Sequence, residues 1–564
     1  MGTRHDLPAA SDGRGEAARP RIARRDSSMI ESTGGAADGS EPLAGKPWAP
    51  RRQQQQALHD VELALARNPE SLDLQLLRAG VQQMLGDDQA ARTGYLEILR
   101  ADPDHLGALR NLSQLLAQTG FRSAARTLLE RAVSRYPGDL ASHVNLATLL
   151  FQCDELPAAR ALFERALQIA PDSAQAHAGI SLVLDRLGDA PAAAVHRRQG
   201  FSRHSLIALP YRGQGEPVRV LLLGATNSGN VPIERFLDDR TFQTWIVAPE
   251  FHVSAKPLPA HDLVVNAIGD ADAASVALCA AQSLLARTPA PVINAPSAVA
   301  SSGRCENWRR LGALPGVIAP HAATLARASL AAADAEATLR RSGLAFPLLL
   351  RSPGFHTGEH FVRVRDPAAL AAAVAQLPGS QLIAIEYLDT RDSDGKTRKY
   401  RVMMIDGALY PLHLAVARDW KVHYFSADMA DHPEHRAEDQ RFLRDMAGVL
   451  GAPAMDALRR IQTRLGLDYA GIDFALSADR QVVVFEANAT MVVPPPAPDP
   501  RWDYRRTAVQ RIDAAVRRML LARASGGSRQ RSTCASAPEA ACGHGAAAAA
   551  PVGESWADSG ARGS

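Results

Sequence analysis

The sequence predicts a multidomain chain: an all-α solenoid of helical hairpins, then a doubly wound α/β segment, then α+β lobes. Three observations predict it. A 34-residue period runs through the first third, with prolines at Pro69, Pro103, Pro137 and Pro171. From about residue 217 the pattern changes to apolar β-branched runs separated by Gly/Asn/Ser turns. Near the C-terminus, residues 467–491 read as two short strands around a turn, carrying Asp473, Glu486 and Asn488. At 564 residues the chain is also too long for one domain.

Bulk composition narrows the function. With 46% hydrophobic and 22% charged residues there is enough apolar material for real cores. A net charge of +3 makes no electrostatic case for a nucleic-acid partner. Five cysteines (Cys153, Cys279, Cys305, Cys534, Cys542) are scattered without CxxC spacing, which points to a reducing compartment and to neither a disulfide framework nor a zinc site. No apolar run reaches the ~18 residues of a membrane span. Residues 1–50 include Arg24-Arg25, but no apolar stretch follows, so no secretory signal is read. That segment is expected to be a disordered lead, or Met29 is the true start. A bacterial, cytoplasmic protein is expected.

The 34-residue register holds at several positions. Alanine recurs at Ala57, Ala91, Ala125, Ala159 and Ala193, small residues at Ala79, Ser113, Ala147 and Ser181, and large ones at Tyr95, Leu129 and Phe163. Small residues let paired helices approach, the large ones fill the gap, and proline stops each second helix. No single pair can bury its apolar face alone, so the stack is the stable unit. Residues 53–204 thus resemble tetratricopeptide repeats (TPR). The resemblance implies a groove for a peptide or protein partner. Asn111 and Asn145 share one repeat position; they either hold a peptide carboxylate or serve the repeat itself.

Residues 216–312 read as the doubly wound segment, with strands at 218–223, 244–248, 263–267 and 292–293. A helix is expected to start at 231–237 and another to span 271–286. The turn 224–230 (GATNSGN) either offers backbone N–H groups to a phosphate or carboxylate, or is purely structural. It is neither GxGxxG nor a Walker loop.

Residues 313–521 carry the chemistry. Glu486 and Asn488 are two apart and face the same way on a strand, and a hairpin can bring Asp473 alongside. Two carboxylates and an amide oxygen suit Mg²⁺; the alternative is a polar strand end with solvated acids. The pair Gly471-Ile472-Asp473-Phe474 and Glu486-Ala487-Asn488 resembles the metal-binding end of the ATP-grasp fold, which includes D-alanine ligases, glutathione synthetases and the glutamate ligases of ribosomal protein.

The resemblance implies roles along the chain. The strand 346–351, the loop with Gly354, His356, Thr357 and Gly358, and the strand 361–364 would fold over triphosphate. Relatives usually carry Lys where Arg351 and Arg304 stand here. His356 and His360 lie in a loop-to-strand passage, which argues against a metal pair. Tyr387 and Leu388 would grip adenine by their backbone, and either Glu386 or Asp389 would take the ribose or the amino group. Lys399 would join the nucleotide contacts. Arg401 and Arg418 match cations over the γ-phosphate and the tetrahedral intermediate.

Asp431-His432-Pro433-Glu434-His435 has metal-like residue types but is expected to be a solvated loop. Residues 503–522 read as a basic closing helix, and 525–564 as a disordered tail. The implied activity is Mg²⁺-ATP (two ions) phosphorylating an unknown carboxylate, which an amine or thiol then captures. A non-catalytic nucleotide-sensing TPR scaffold is the alternative.

Overall fold

The computed structural model describes residues 51–535, apart from 254, 355–358 and 423–426, and beyond 526 the backbone alone. The expected lead 1–50 lies outside the described residues, as does the expected tail from residue 536 onward. The last helix keeps its backbone helical over Arg506–Ala535, past the position where the tail was expected to begin.

Among the described residues the first part is nine helices: α1 (Arg51–Arg67), α2 (Leu72–Met84), α3 (Asp88–Ala101), α4 (Leu106–Gln118), α5 (Arg122–Arg135), α6 (Leu140–Gln152), α7 (Leu156–Ile169), α8 (Ala174–Leu187) and α9 (Ala190–Phe201). Each periodic proline sits two residues beyond the end of a helix, at Arg67, Ala101, Arg135 and Ile169, where it cannot continue the helix. The next helices start on side-chain caps: Ser71, Asp87, Asp139, Ser173 and Asp189 each accept a backbone N–H three residues on. The small periodic residues Ala79, Ala91, Ala125, Ala147 and Ala159 are fully buried. Gly179 shows why: a Cβ there would lie 2.3 Å from the Phe163 ring, which is itself fully buried. Asn111 shares a hydrogen bond with the Tyr95 hydroxyl, and Asn145 is half-buried.

The rest is mixed α/β. Strands β1 (Leu206–Ala208), β2 (Val218–Leu223), β3 (Phe242–Val247), β4 (Leu263–Asn266) and β5 (Val292–Ile293) form a sheet in the order β1-β3-β2-β4-β5, parallel except for β1. Helix α10 (Ser275–Leu285) precedes β5. The helix expected at 231–237 is only a 3₁₀ turn over Ile233–Phe236. Val231, Ile233, Phe236 and Leu237 are all buried, so this segment is wrapped by core rather than laid on the sheet by one face.

Helix α11 (Arg304–Gly312) leads to two further sheets. One is antiparallel, in the order β7 (Ala322–Ala326), β10 (Gln381–Glu386), β8 (Leu348–Arg351), β9 (Phe361–Val364). The other runs β12 (Ala408–Ala417), β11 (Thr397–Ile405), β13 (Tyr469–Leu476), β14 (Val482–Asn488), β6 (Val317–Ile318). β11 turns into β12 through Asp406 and Gly407, both with positive φ (47° and 81°), as a tight Asp-Gly hairpin turn needs. Helix α12 (Pro433–Arg444) packs on β12, and α13 (Ala452–Leu465) leads into β13.

The helical array is fastened to the α/β part at two places. Phe201 and Ala178 belong to the same buried cluster as Val220, Leu222 and Val265 of the parallel sheet. At the other end, Arg212 pairs with Asp88 and Asp239 (3.0 Å each), and Arg51 donates to the Arg212 carbonyl (3.0 Å). The array is therefore a fixed wall of the molecule.

Candidate functional site

A cavity of ≈ 1260 Å³ lies where the helical array, the parallel sheet and the two later sheets meet. Its lining starts with Phe151, Leu182 and Arg186 at the ends of α6 and α8, passes the turn Asn227–Asn230, and continues to Glu386, Tyr387 and Leu388. Basic groups from separate elements converge on it: Arg304 (α11), Arg351 (β8), Lys399 and Arg401 (β11), and Lys421 after β12.

Asp473 and Glu486 are cross-strand partners in β13–β14, and Gly471 pairs with Asn488. A Cβ on Gly471 would lie 2.6 Å from the Met491 Cγ, so only glycine fits beside the metal-type residues. The β11–β12 register shifts between Arg401 and Val402, and the β13–β14 register between Asp473 and Phe474. Arg401 faces Asp473 across β11–β13, so two bulges sit side by side and re-aim this pair.

The carboxylates carry cations. Asp473, only 1% exposed, takes Arg401 Nε at 2.5 Å and Nη2 at 2.7 Å, with Lys399 Nζ at 2.7 Å. Burial alone would push the Asp473 carboxyl up, but Arg401 and Lys399 outweigh it and hold it well below the ordinary carboxylate range. Arg304 Nη2 reaches Glu486 Oε1 at 2.5 Å, and Asn488 Nδ2 donates to the same oxygen at 3.0 Å. The Asn488 amide oxygen accepts from the Thr490 N–H and hydroxyl. α11 is pinned for this contact, because Trp308 Nε1 donates to the Phe485 carbonyl (3.2 Å) and Asn307 to that of Ala487.

Arg351 sits in a less favourable setting. Burial, and next the like charge of Arg304, push its guanidinium down to about 10, against the smaller attraction of Glu486, Asp270 and Asp272. Its carbon lies 5.8 Å from the Phe361 ring centre. Phe361 also meets Trp420 edge-on at 5.4 Å, and Trp420 meets Tyr387 at 6.3 Å, giving the cavity an aromatic side. Arg363 stacks over Tyr387 and donates to its hydroxyl (3.0 Å).

The sequence-predicted residues thus fall in three groups. Arg304, Arg351, Gly354, Glu386, Tyr387, Leu388, Lys399, Arg401, Asp473 and Glu486 line the cavity, with Asn488 bonded just behind Glu486. Gly354 has φ of 79°, a conformation suited to glycine. Asp389 is clamped by Arg391 and, like the exposed Arg418, does not line the cavity. His356, Thr357 and Gly358 lie outside the described residues. Residues without an assigned role in the sequence reading also line it: Thr397, His413, Trp420 and Lys421. Thr397 was legible in principle, since it continues the period-two face of Lys399 and Arg401.

Two expected motifs differ. In the turn 224–230 the N–H groups of Ala225 and Thr226 are taken by Asn230 and Glu250, so they are not offered to an anion. The segment expected to be a loop at 431–435 starts α12, with Pro433 in its first turn. His432, Glu434 and His435 have ligand atoms within 4.8 Å of one another. His435 is buried, however, with Nδ1 on the Asp428 carbonyl (2.5 Å) and Nε2 on Lys396 Nζ (2.9 Å), so both ring nitrogens are engaged.

A tetratricopeptide-repeat family model matches residues 122–183. The N-terminal helical region is a TPR-repeat region, followed by a mixed α/β region. Among solved structures, the chain is similar to MamA 41-end from Desulfovibrio magneticus RS-1 (20% identity, 27% of this chain and 85% of that chain, TM-score 0.25). It is also similar to TTC0263, a thermophilic TPR protein in Thermus thermophilus (19% identity, 27% of this chain and 84% of that chain, TM-score 0.25). No curated protein matches the chain. Among the described residues, no helix is long and apolar enough to cross a membrane.

Proposed function

We propose that this chain is a TPR protein whose α/β part takes up Mg²⁺-ATP in the cavity and acts as an ATP-grasp-type carboxylate–amine or carboxylate–thiol ligase. The TPR region would bring a protein or peptide substrate or partner. The observation that carries the reading is the convergence of Arg304, Arg351, Lys399, Arg401 and Lys421 on one cavity, with Arg351 kept charged against burial and a like neighbour. Such an arrangement is unfavourable when empty and favourable around a polyanion.

Asp473, Glu486 and Asn488 form an all-oxygen donor set of the kind magnesium takes, and these residues would hold it. Bound there, the ion would neutralise phosphate charge that otherwise repels a nucleophile. Because Arg401, Lys399 and Arg304 already occupy the two carboxylates, the metal enters only with a polyphosphate that draws those cations onto itself. Arg401 is then the cation placed for charge developing on the transferred group, since Arg418 is exposed outside the cavity. Tyr387 and Trp420 offer ring faces and edges to a base.

A second reading is a nucleotide-sensing TPR scaffold without catalysis. It is favoured by the ion pairs that tie up both carboxylates, and by a family match confined to residues 122–183. ADP release that depends on an added carboxylate and nucleophile decides for the ligase. Tight Mg²⁺-ATP binding with no turnover across carboxylate classes decides for the scaffold.

A further inference from the structure

Thr397 opens β11 and is 2% exposed, yet its hydroxyl has no hydrogen-bond partner. Buried hydroxyls are nearly always satisfied, and leaving one unpaired is costly. A β-branched residue suits a strand, but valine would fill that position without an orphan oxygen. Thr244 also has an unpartnered buried hydroxyl, but it does not line the cavity, whereas Thr397 does. Thr397, Lys399 and Arg401 alternate along β11 on one face, and all three line the cavity.

Position along β11 says what the hydroxyl meets. Arg401 marks the end where Asp473 stands, and four residues of strand put Thr397 about 13 Å back from it. There the neighbouring lining is Tyr387, Leu388, Thr390 and Trp420, which is the nucleoside side of the cavity on the reading above. The two acids considered for a ribose are engaged elsewhere. Glu386 Oε2 accepts the His321 N–H at 3.0 Å, and Asp389 is clamped by Arg391 away from the cavity.

We propose that the Thr397 hydroxyl is the ribose contact of the bound nucleotide, exchanging a hydrogen bond with a sugar hydroxyl in place of a carboxylate. A hydroxyl both donates and accepts, so it suits a sugar hydroxyl in either role. The proposal rests on the Mg²⁺-ATP reading, and its test separates the two.

The test is calorimetric titration of the full chain and of its Thr397→Val and Thr397→Ser variants with Mg²⁺-ATP, Mg²⁺-2′-deoxy-ATP and Mg²⁺-3′-deoxy-ATP. Thr397→Val is expected to weaken Mg²⁺-ATP about 5- to 10-fold, while Thr397→Ser stays within about 2-fold. One deoxynucleotide should lose a similar factor on the wild type and nothing further on Thr397→Val, because both remove the same bond. Thr397→Val should unfold at the same or a higher temperature than wild type, so its loss of binding cannot be loss of fold. Equal Mg²⁺-ATP affinity for wild type and Thr397→Val overturns the inference while leaving the nucleotide reading intact. Multiplying losses from the valine and from both deoxy sugars also overturn it. Absence of Mg²⁺-ATP binding by the wild type overturns both.

Discussion

Replacing Arg351 by methionine should make the protein more stable and a worse nucleotide binder. The guanidinium is pushed down to about 10 from 12.5, so the fold works against its charge. At 1.36 kcal/mol per unit, that shift corresponds to at most about 3 kcal/mol. Arg351 keeps some solvent contact, which screens the charge, and its stem packs near Phe361. A net gain of about 1–2 kcal/mol is therefore expected for Arg351→Met. The sign follows from the titration. Near neutral pH the folded and unfolded chains both carry the charge, so the full penalty applies. It fades only as pH rises from about 10 toward the unfolded value of 12.5.

Against that gain stands the lost contact to phosphate, about 1.5–3 kcal/mol for a charge-assisted hydrogen bond, or roughly 10- to 100-fold in affinity. Urea unfolding and Mg²⁺-ATP titration of the same full-length variant measure both. A variant destabilised by more than about 1 kcal/mol would show that Arg351 is a structural ion-pair partner. Unchanged nucleotide affinity would show that it does not face the phosphates. Either result refutes the reasoning.

Asp473→Asn leaves Arg401 and Lys399 buried without their carboxylate and should lower stability by about 3–5 kcal/mol near neutral pH. Because the Asp473 carboxyl is depressed in the fold, its contribution is complete above the unfolded value of about 3.9 and is lost as pH falls below it. Thermal scans should therefore show the gap between wild type and variant narrowing only in that acid range; a gap that narrows at neutral pH contradicts the pairing. Gly179→Ala should cost about 1–3 kcal/mol despite alanine's better helix propensity, since the Cβ would meet the immobile Phe163 ring at 2.3 Å. Gly120→Ala, with nothing near its Cβ but φ of 90°, isolates the backbone cost alone, and unfolding curves of the two compare crowding with strain.

The repeat was legible because its physics is local: a small residue such as Ala79 must let a neighbouring helix approach, and it recurs wherever the helices do. The hairpin of Asp473, Glu486 and Asn488 was legible for the same reason, as strand alternation and a turn bring them together within residues 467–491. What escaped was partnership at long range. Arg401 and Asp473 were each given a role with ligand, yet they bond each other across 72 residues. Nothing in local spacing says which strand lies beside β13. The 3₁₀ turn at Ile233–Phe236 escaped because its apolar residues fit a helix pattern until the surrounding core is known. Arg418 and Asp389 took their roles from motif order alone, and motif order does not say which side of a strand end faces a cavity.

The central claim is that the basic cavity and its acidic hairpin accept metal and nucleotide together. The most direct test is thermal unfolding of the full chain with magnesium alone, ATP with chelator, and Mg²⁺-ATP. Magnesium alone should shift nothing, because Asp473 and Glu486 already carry Arg401, Lys399 and Arg304. Mg²⁺-ATP at about 100 times its dissociation constant should stabilise the fold by roughly 2.7 kcal/mol, and ATP with chelator by less. Stabilisation by magnesium alone, or none by millimolar Mg²⁺-ATP, would contradict the account.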